Sequence, residues 1–120
     1  MTDEEINTRI AREVMGWEPH IRNTGFWVKA QDKTGLMDGF SITRLRFLDD
    51  DWSGVRLVVE RMEALGFAPT MRKTGIKDCP GLRWGASFRH DDYPKVQHAH
   101  ADTLPRAVCL AALKAMEAKP

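Results

Sequence analysis

The feature that most limits the folds open to this chain is the stretch LRWGASFRH, residues 82–90. Leu82, Trp84, Ala86 and Phe88 alternate with Arg83, Gly85, Ser87 and Arg89. Successive side chains of an extended strand point to opposite faces, so this segment has one apolar and one basic, polar face. Two neighbours can pair with it. FAPTMRKTG precedes it across the turn IKDCPG, and KVQHAHA follows the turn HDDYP. In the second of these, Ala99 and Ala101 share one face and are small enough to let a helix approach. His98, His100 and Val96 share the other.

Helices account for most of the remaining chain. The last, from about 104 to 117, is rich in alanine and leucine, and only Arg106, Lys114 and Glu117 mark a wet stripe. It is therefore expected to be the most buried helix, with Leu104 opening its apolar face. Asp102 or Thr103 is placed to cap it, and Pro105 stands in the first turn, where a missing N–H costs nothing. A first helix starts at Thr2, with Glu5 three residues on and Ile6, Ile10 and Val14 at helical spacing. Gly16 ends it, and Trp17 is expected to fold back on the apolar stripe. A second, over 52–65, aligns Val55, Val58, Val59 and Met62, with Arg56, Glu60, Arg61 and Glu63 turned away. Gly66 is its left-handed terminator and Phe67 packs back. GFWVKAQ reads as a short strand. FSITRLRFL reads as a strand or an extended loop, and DDDW offers three caps for the second helix.

These elements predict one α+β domain over residues 1–120, an antiparallel sheet covered by helices. A chain of 120 residues supports one core, and 42% apolar with 29% charged residues is ordinary for a soluble globular protein. The net charge of +1 makes no global case for nucleic acid or a membrane surface. No apolar run approaches the ~20 residues of a membrane span, and the acidic amino terminus is unlike a signal peptide. Cys79 and Cys109 lack CxxC spacing and read as free thiols of a cytoplasmic protein.

Three segments taken in order, INTRIAREVMGW, LVVERMEALGF and ADTLPRAVCLAALKA, resemble the phage ABA sandwich domain family, small proteins of tailed phages and prophages. The resemblance runs from Ile6 to about Ala115. It implies a three-layer α/β/α arrangement, helices on both faces of the sheet, and it transfers no activity or catalytic residue. The chain departs from the family where Phe40 and Ser41 are followed by the longer ITRLRFLDDDW.

HAHAD, residues 98–102, has the His-x-His-x-Asp spacing of zinc hydrolases of the metallo-β-lactamase type. Two imidazoles two apart on a strand do lie on one side, but a catalytic site needs a third ligand and a base. The third ligand would have to come from His90, Asp91 or Asp92, because no histidine follows His100. The strand-and-cap reading is preferred, with no metal or other cofactor. The basic segment is the stronger lead: residues 72–89 hold Arg72, Lys73, Lys77, Arg83 and Arg89 against Asp78. Arg83 and Arg89, with Arg72, can share a sheet face with His98 and His100 as an anion-binding surface. The plainer alternative pairs these arginines with helix carboxylates such as Glu60 and Glu63. Trp27 and Trp52, near turns, are candidates to frame a pocket where a base stacks. Asp49, Asp50 and Asp51 read as a solvated helix start, and Cys79 as a turn thiol. The expectation is a phage-encoded accessory protein, not an enzyme, that binds a host component: a defence protein or an anionic nucleotide messenger. A nucleic-acid-binding module on the basic strand face is the alternative, and a zinc-dependent hydrolase the third reading. No membrane partner is expected, and a homo-oligomer is left open.

Overall fold

The structure, a computed structural model, describes residues 2–19, 26–27, 41–42, 47–49, 52–73, 83–93 and 95–118. The first helix, α1, spans Asp3–Arg9 and continues into a wider π-type turn, Ile10–Val14. Its cap is as the sequence suggests: the Glu5 N–H donates to Thr2 Oγ1 at 3.2 Å. The widening shows in Met15, whose N–H reaches back five residues to the Ile10 carbonyl. Gly16 then takes a positive φ of 72°, and Trp17 is buried against Phe47 at 5.6 Å between ring centroids.

Three short strands follow, β1 (Glu18–Pro19), β2 (Phe26–Trp27) and β3 (Ser41–Ile42), paired antiparallel in that order. Next comes α2, Trp52–Ala64, whose Val55, Val58, Val59 and Met62 are all buried as their spacing requires. Its end is a Schellman turn. The Phe67 N–H donates to the Met62 carbonyl and the Gly66 N–H to that of Glu63, with Gly66 at φ 94°.

The main sheet is β4 (Ala68–Lys73), β5 (Trp84–Arg89) and β6 (Gln97–Ala101), antiparallel with β5 in the centre. The register aligns Thr70, Ser87 and His98 in one cross-strand row and Arg72, Gly85 and His100 in the next. The last helix, α3, spans Leu104–Glu117. It packs on β5 and β6, where Ala86, Phe88, Ala99 and Ala101 form the buried face of the sheet. Alanines on both sides of that contact let helix and sheet approach closely. The α2 helix covers β4 from the same side and also touches α3. Of the sequence-predicted cap residues, Thr103 acts: its Oγ1 accepts from the Arg106 N–H at 3.4 Å.

This is the small α+β fold that the element order predicts. Among the described residues, α2 and α3 both pack on the alanine face of the main sheet. On the opposite face, Thr70, Arg72, Arg89, His98 and His100 are exposed. Among the described residues, no helix is long and apolar enough to cross a membrane.

Three details differ from the sequence-based reading. Leu104 is only half-buried, whereas Leu113 lies fully inside. Arg61, expected to turn to solvent, sends its Nε–H to the Val14 carbonyl at 3.1 Å and so satisfies the end of the π turn. Phe47 is buried in a turn, and its carbonyl accepts from Cys109 Sγ at 3.8 Å. Cys109 is a core residue as expected, and burial pushes its thiol up to about 12. Cys79, Asp50, Asp51 and most of residues 35–50 lie outside the described residues.

Candidate functional site

The site follows from strand parity. On β5 the even-numbered Trp84, Ala86 and Phe88 turn to the helices, so Gly85, Ser87 and Arg89 turn to the open face, and Arg83 just before the strand has the same parity. On β6 the buried Ala99 and Ala101 force His98 and His100 onto that open face, beside the exposed Val96. On β4 the same rule brings Thr70 and Arg72 there, because the register sets them opposite Ser87 and Gly85.

A dent of about 170 Å³ lies at the middle of this face, lined by Thr70, Arg72, Gly85, Ala86, Ser87, His98 and His100. Gly85, buried at its centre, brings no side chain between Arg72 and His100, its neighbours in the same row. Among the described residues the lining contains no carboxylate. From α3, Lys114 Nζ donates to the His98 carbonyl at 3.0 Å and anchors β6 at this row.

Some of the described arginines are ion-paired and others are not. Arg9 pairs with Glu13 (Nε–Oε2 2.6 Å) and Glu117 (Nη2–Oε1 2.5 Å), Arg56 with Glu60, and Arg106 with Asp3. Arg72, Arg83 and Arg89 make no ion pair with a described residue. Glu60, expected as a possible partner for the sheet arginines, is held by its own helix neighbour. The sheet face therefore carries unopposed positive charge among the described residues, which suits an anion.

The predicted site residues fall into separate places. His98 and His100 line the dent, and Arg83 and Arg89 share its face along β5 without lining it. Trp52, 45% exposed, lies in a different depression of about 300 Å³ with Trp84, Asp102, Thr103, Leu104 and Pro105. Trp27 has a described backbone in β2, but its side chain is outside the description. The described part of the basic face thus has charge without an aromatic plane. Sequence reading gave Arg72 only a secondary place, although it is the arginine that lines the dent.

His90, considered as a third metal ligand, has the parity of the buried face. Its ring lies 5.0 Å from that of Phe67 and 4.4 Å from that of Tyr93, and its Nδ1 accepts from the Asp92 N–H at 3.0 Å. It stands on the far side of the sheet from His98 and His100. Among the described residues no group of three or more His, Cys, Asp or Glu side chains is arranged to hold a metal ion.

No family model matches the chain, and no curated protein matches it. Among solved structures it is similar to a phage protein from Bacillus cereus ATCC 14579, a 2.0 Å crystal structure, with a TM-score of 0.67 and 20% sequence identity. The match covers 98% of this chain and 89% of that one. Identity at this level speaks for the fold alone.

Proposed function

We propose that this is a phage-encoded accessory protein of the ABA sandwich type that acts by binding, without catalysis, on an anionic group of a host component in the cytoplasm. The observation that carries the reading is the open face of the main sheet. Its alternate positions, Thr70, Arg72, Ser87, Arg89, His98 and His100, are all polar or cationic, around a dent whose described lining has no carboxylate. A solvated sheet face needs no such selection of one charge sign, and like charges set side by side cost stability unless something opposes them. The phage protein from Bacillus cereus supports the phage origin through the shared fold. A nucleotide messenger used in host defence has the required charge. A protein partner would instead engage an apolar patch, and nucleic acid would use the basic strip along β5 through its phosphates.

Calorimetry with a panel of cyclic and linear nucleotides, beside short DNA and RNA duplexes, tests the proposal. The expected result is heat with nucleotides that is abolished by Arg72→Glu, Arg83→Glu and Arg89→Glu together, with the melting temperature maintained. Heat from duplexes alone would establish the nucleic-acid reading. Silence from every probe would defeat the anion reading and leave a host protein as the target.

A further inference from the structure

We infer that the dent over Gly85 is a headgroup site for a phosphomonoester, the terminal phosphate of a larger ligand. This rests on the anion-binding reading and adds to it the class of anion.

Size is the first argument. Pockets that enclose a whole small-molecule ligand run to about 300–1,000 Å³. At about 170 Å³ the dent is a fraction of that, room for a phosphate and its ester carbon while the rest of the ligand stays outside. The donors supply the second argument. Arg72 from β4 and His100 from β6 flank Gly85 in one row, and Thr70, Ser87 and His98 form the next, ~7 Å along the strands. They bring a guanidinium, two hydroxyls and two imidazoles, each ring a donor through at least one N–H in either protonation state. Three strands thus surround one small volume with donors. A phosphomonoester offers three terminal oxygens and close to two negative charges at neutral pH. A diester offers two free oxygens, one charge and a second substituent that also needs a way out. A carboxylate has two oxygens, which the Arg72 fork alone would satisfy.

The third argument is availability. Arg72 makes no ion pair with a described residue, while Arg9, Arg56 and Arg106 on the helices do. Arg83 and Arg89 lie beyond the dent along β5, placed to meet charge on the part of the ligand that remains outside.

The experiment is a titration of the full chain with 5′-AMP, 3′,5′-cyclic AMP, inorganic phosphate and adenosine at matched ionic strength. The expected result is that 5′-AMP binds, phosphate displaces it, cyclic AMP binds about tenfold more weakly and adenosine not at all. Arg72→Gln should weaken 5′-AMP about tenfold, the loss of roughly one charge-assisted hydrogen bond. Gly85→Val should abolish binding by filling the dent, and Arg12→Gln, an exposed arginine on the π turn, should leave it unchanged. Melting curves establish that each variant is folded. Should Gly85→Val unfold the sheet, Arg72→Gln and His100→Ala at exposed positions decide the matter. Equal affinity for 5′-AMP and cyclic AMP would overturn the monoester inference while leaving the anion reading intact. An Arg72→Gln protein that binds 5′-AMP normally would remove the ligand from the dent. No binding of any phosphorylated probe would overturn both.

Discussion

Gly66 shows how much one position can settle. It closes α2 at a φ of 94°, and a Cβ built there would stand 2.7 Å from Nε2 of His90, whose ring is packed with Phe67 and Tyr93. An alanine would carry both the left-handed backbone cost, ~1–2 kcal/mol, and the cost of moving a packed ring. Gly66→Ala should therefore lower the melting temperature by at least ~4 °C, the lower end of what 1 kcal/mol does to a small domain. An unchanged melt would show that the corner is not rigid. Cys109 is the complementary case, a residue whose chemistry its surroundings suppress. With its thiol pushed up to about 12 by burial, Cys109 stays protonated in native buffer. In a Cys79→Ser variant, Cys109 should not react with a thiol reagent in native buffer and should react stoichiometrically in denaturant. Native labelling at the rate of an open thiol would contradict its place in the core. The glycine and its partner Phe67 are legible from sequence, because a terminator after an apolar helix has a local signature. That His90 fills the space beside it is not, since the contact joins residues separated by a strand pair.

The elements repeat this pattern of local clarity and long-range silence. The bounds of α2 and α3, and the inward and outward faces of β5 and β6, can be read directly because period and caps are local properties. The place of Arg72 cannot. FAPTMRKTG has a proline and a weak alternation, and only its pairing with β5 sets Arg72 opposite Gly85. The same limit applies to Trp52, whose helix position was clear but whose neighbours Trp84 and Pro105 come from far along the chain. Two comparisons test the assignment of α3. Thr103→Ala should cost about 1 kcal/mol through its lost cap, while Asp102→Ala, exposed and outside the cap, should be close to neutral. Urea melts giving the reverse order would move the cap to Asp102. Leu113, 2% exposed, should cost about 2–5 kcal/mol when cut to alanine, and half-buried Leu104 clearly less. Equal losses would mean that the first turn of α3 is packed as tightly as its middle.

At the scale of the molecule, the helices are gathered by polar ties as well as by the core. Arg9 joins α1 to Glu117 at the far end of α3, and Arg106 at the near end of α3 joins Asp3. Both pairs are partly exposed, so they set the register of two helices more than they add stability. The effect is to hold α1 against α3, while side chains of the opposite face of the main sheet are exposed among the described residues. That same openness has a cost that the Lys114 contact limits. Among the described strands β6 is an outer one, and an outer strand with free carbonyls is a template on which a second chain can add by hydrogen bonding. By donating to the His98 carbonyl, Lys114 occupies one acceptor and places a charge where an incoming strand would lie. On the other border, Pro69 removes one donor from β4. Lys114→Met should accordingly raise light scattering on prolonged incubation, while Lys95→Met, outside β6, should not. Matching behaviour of the two would assign no guarding role to Lys114. At high concentration such a guard keeps copies of the chain from joining edge to edge through β6.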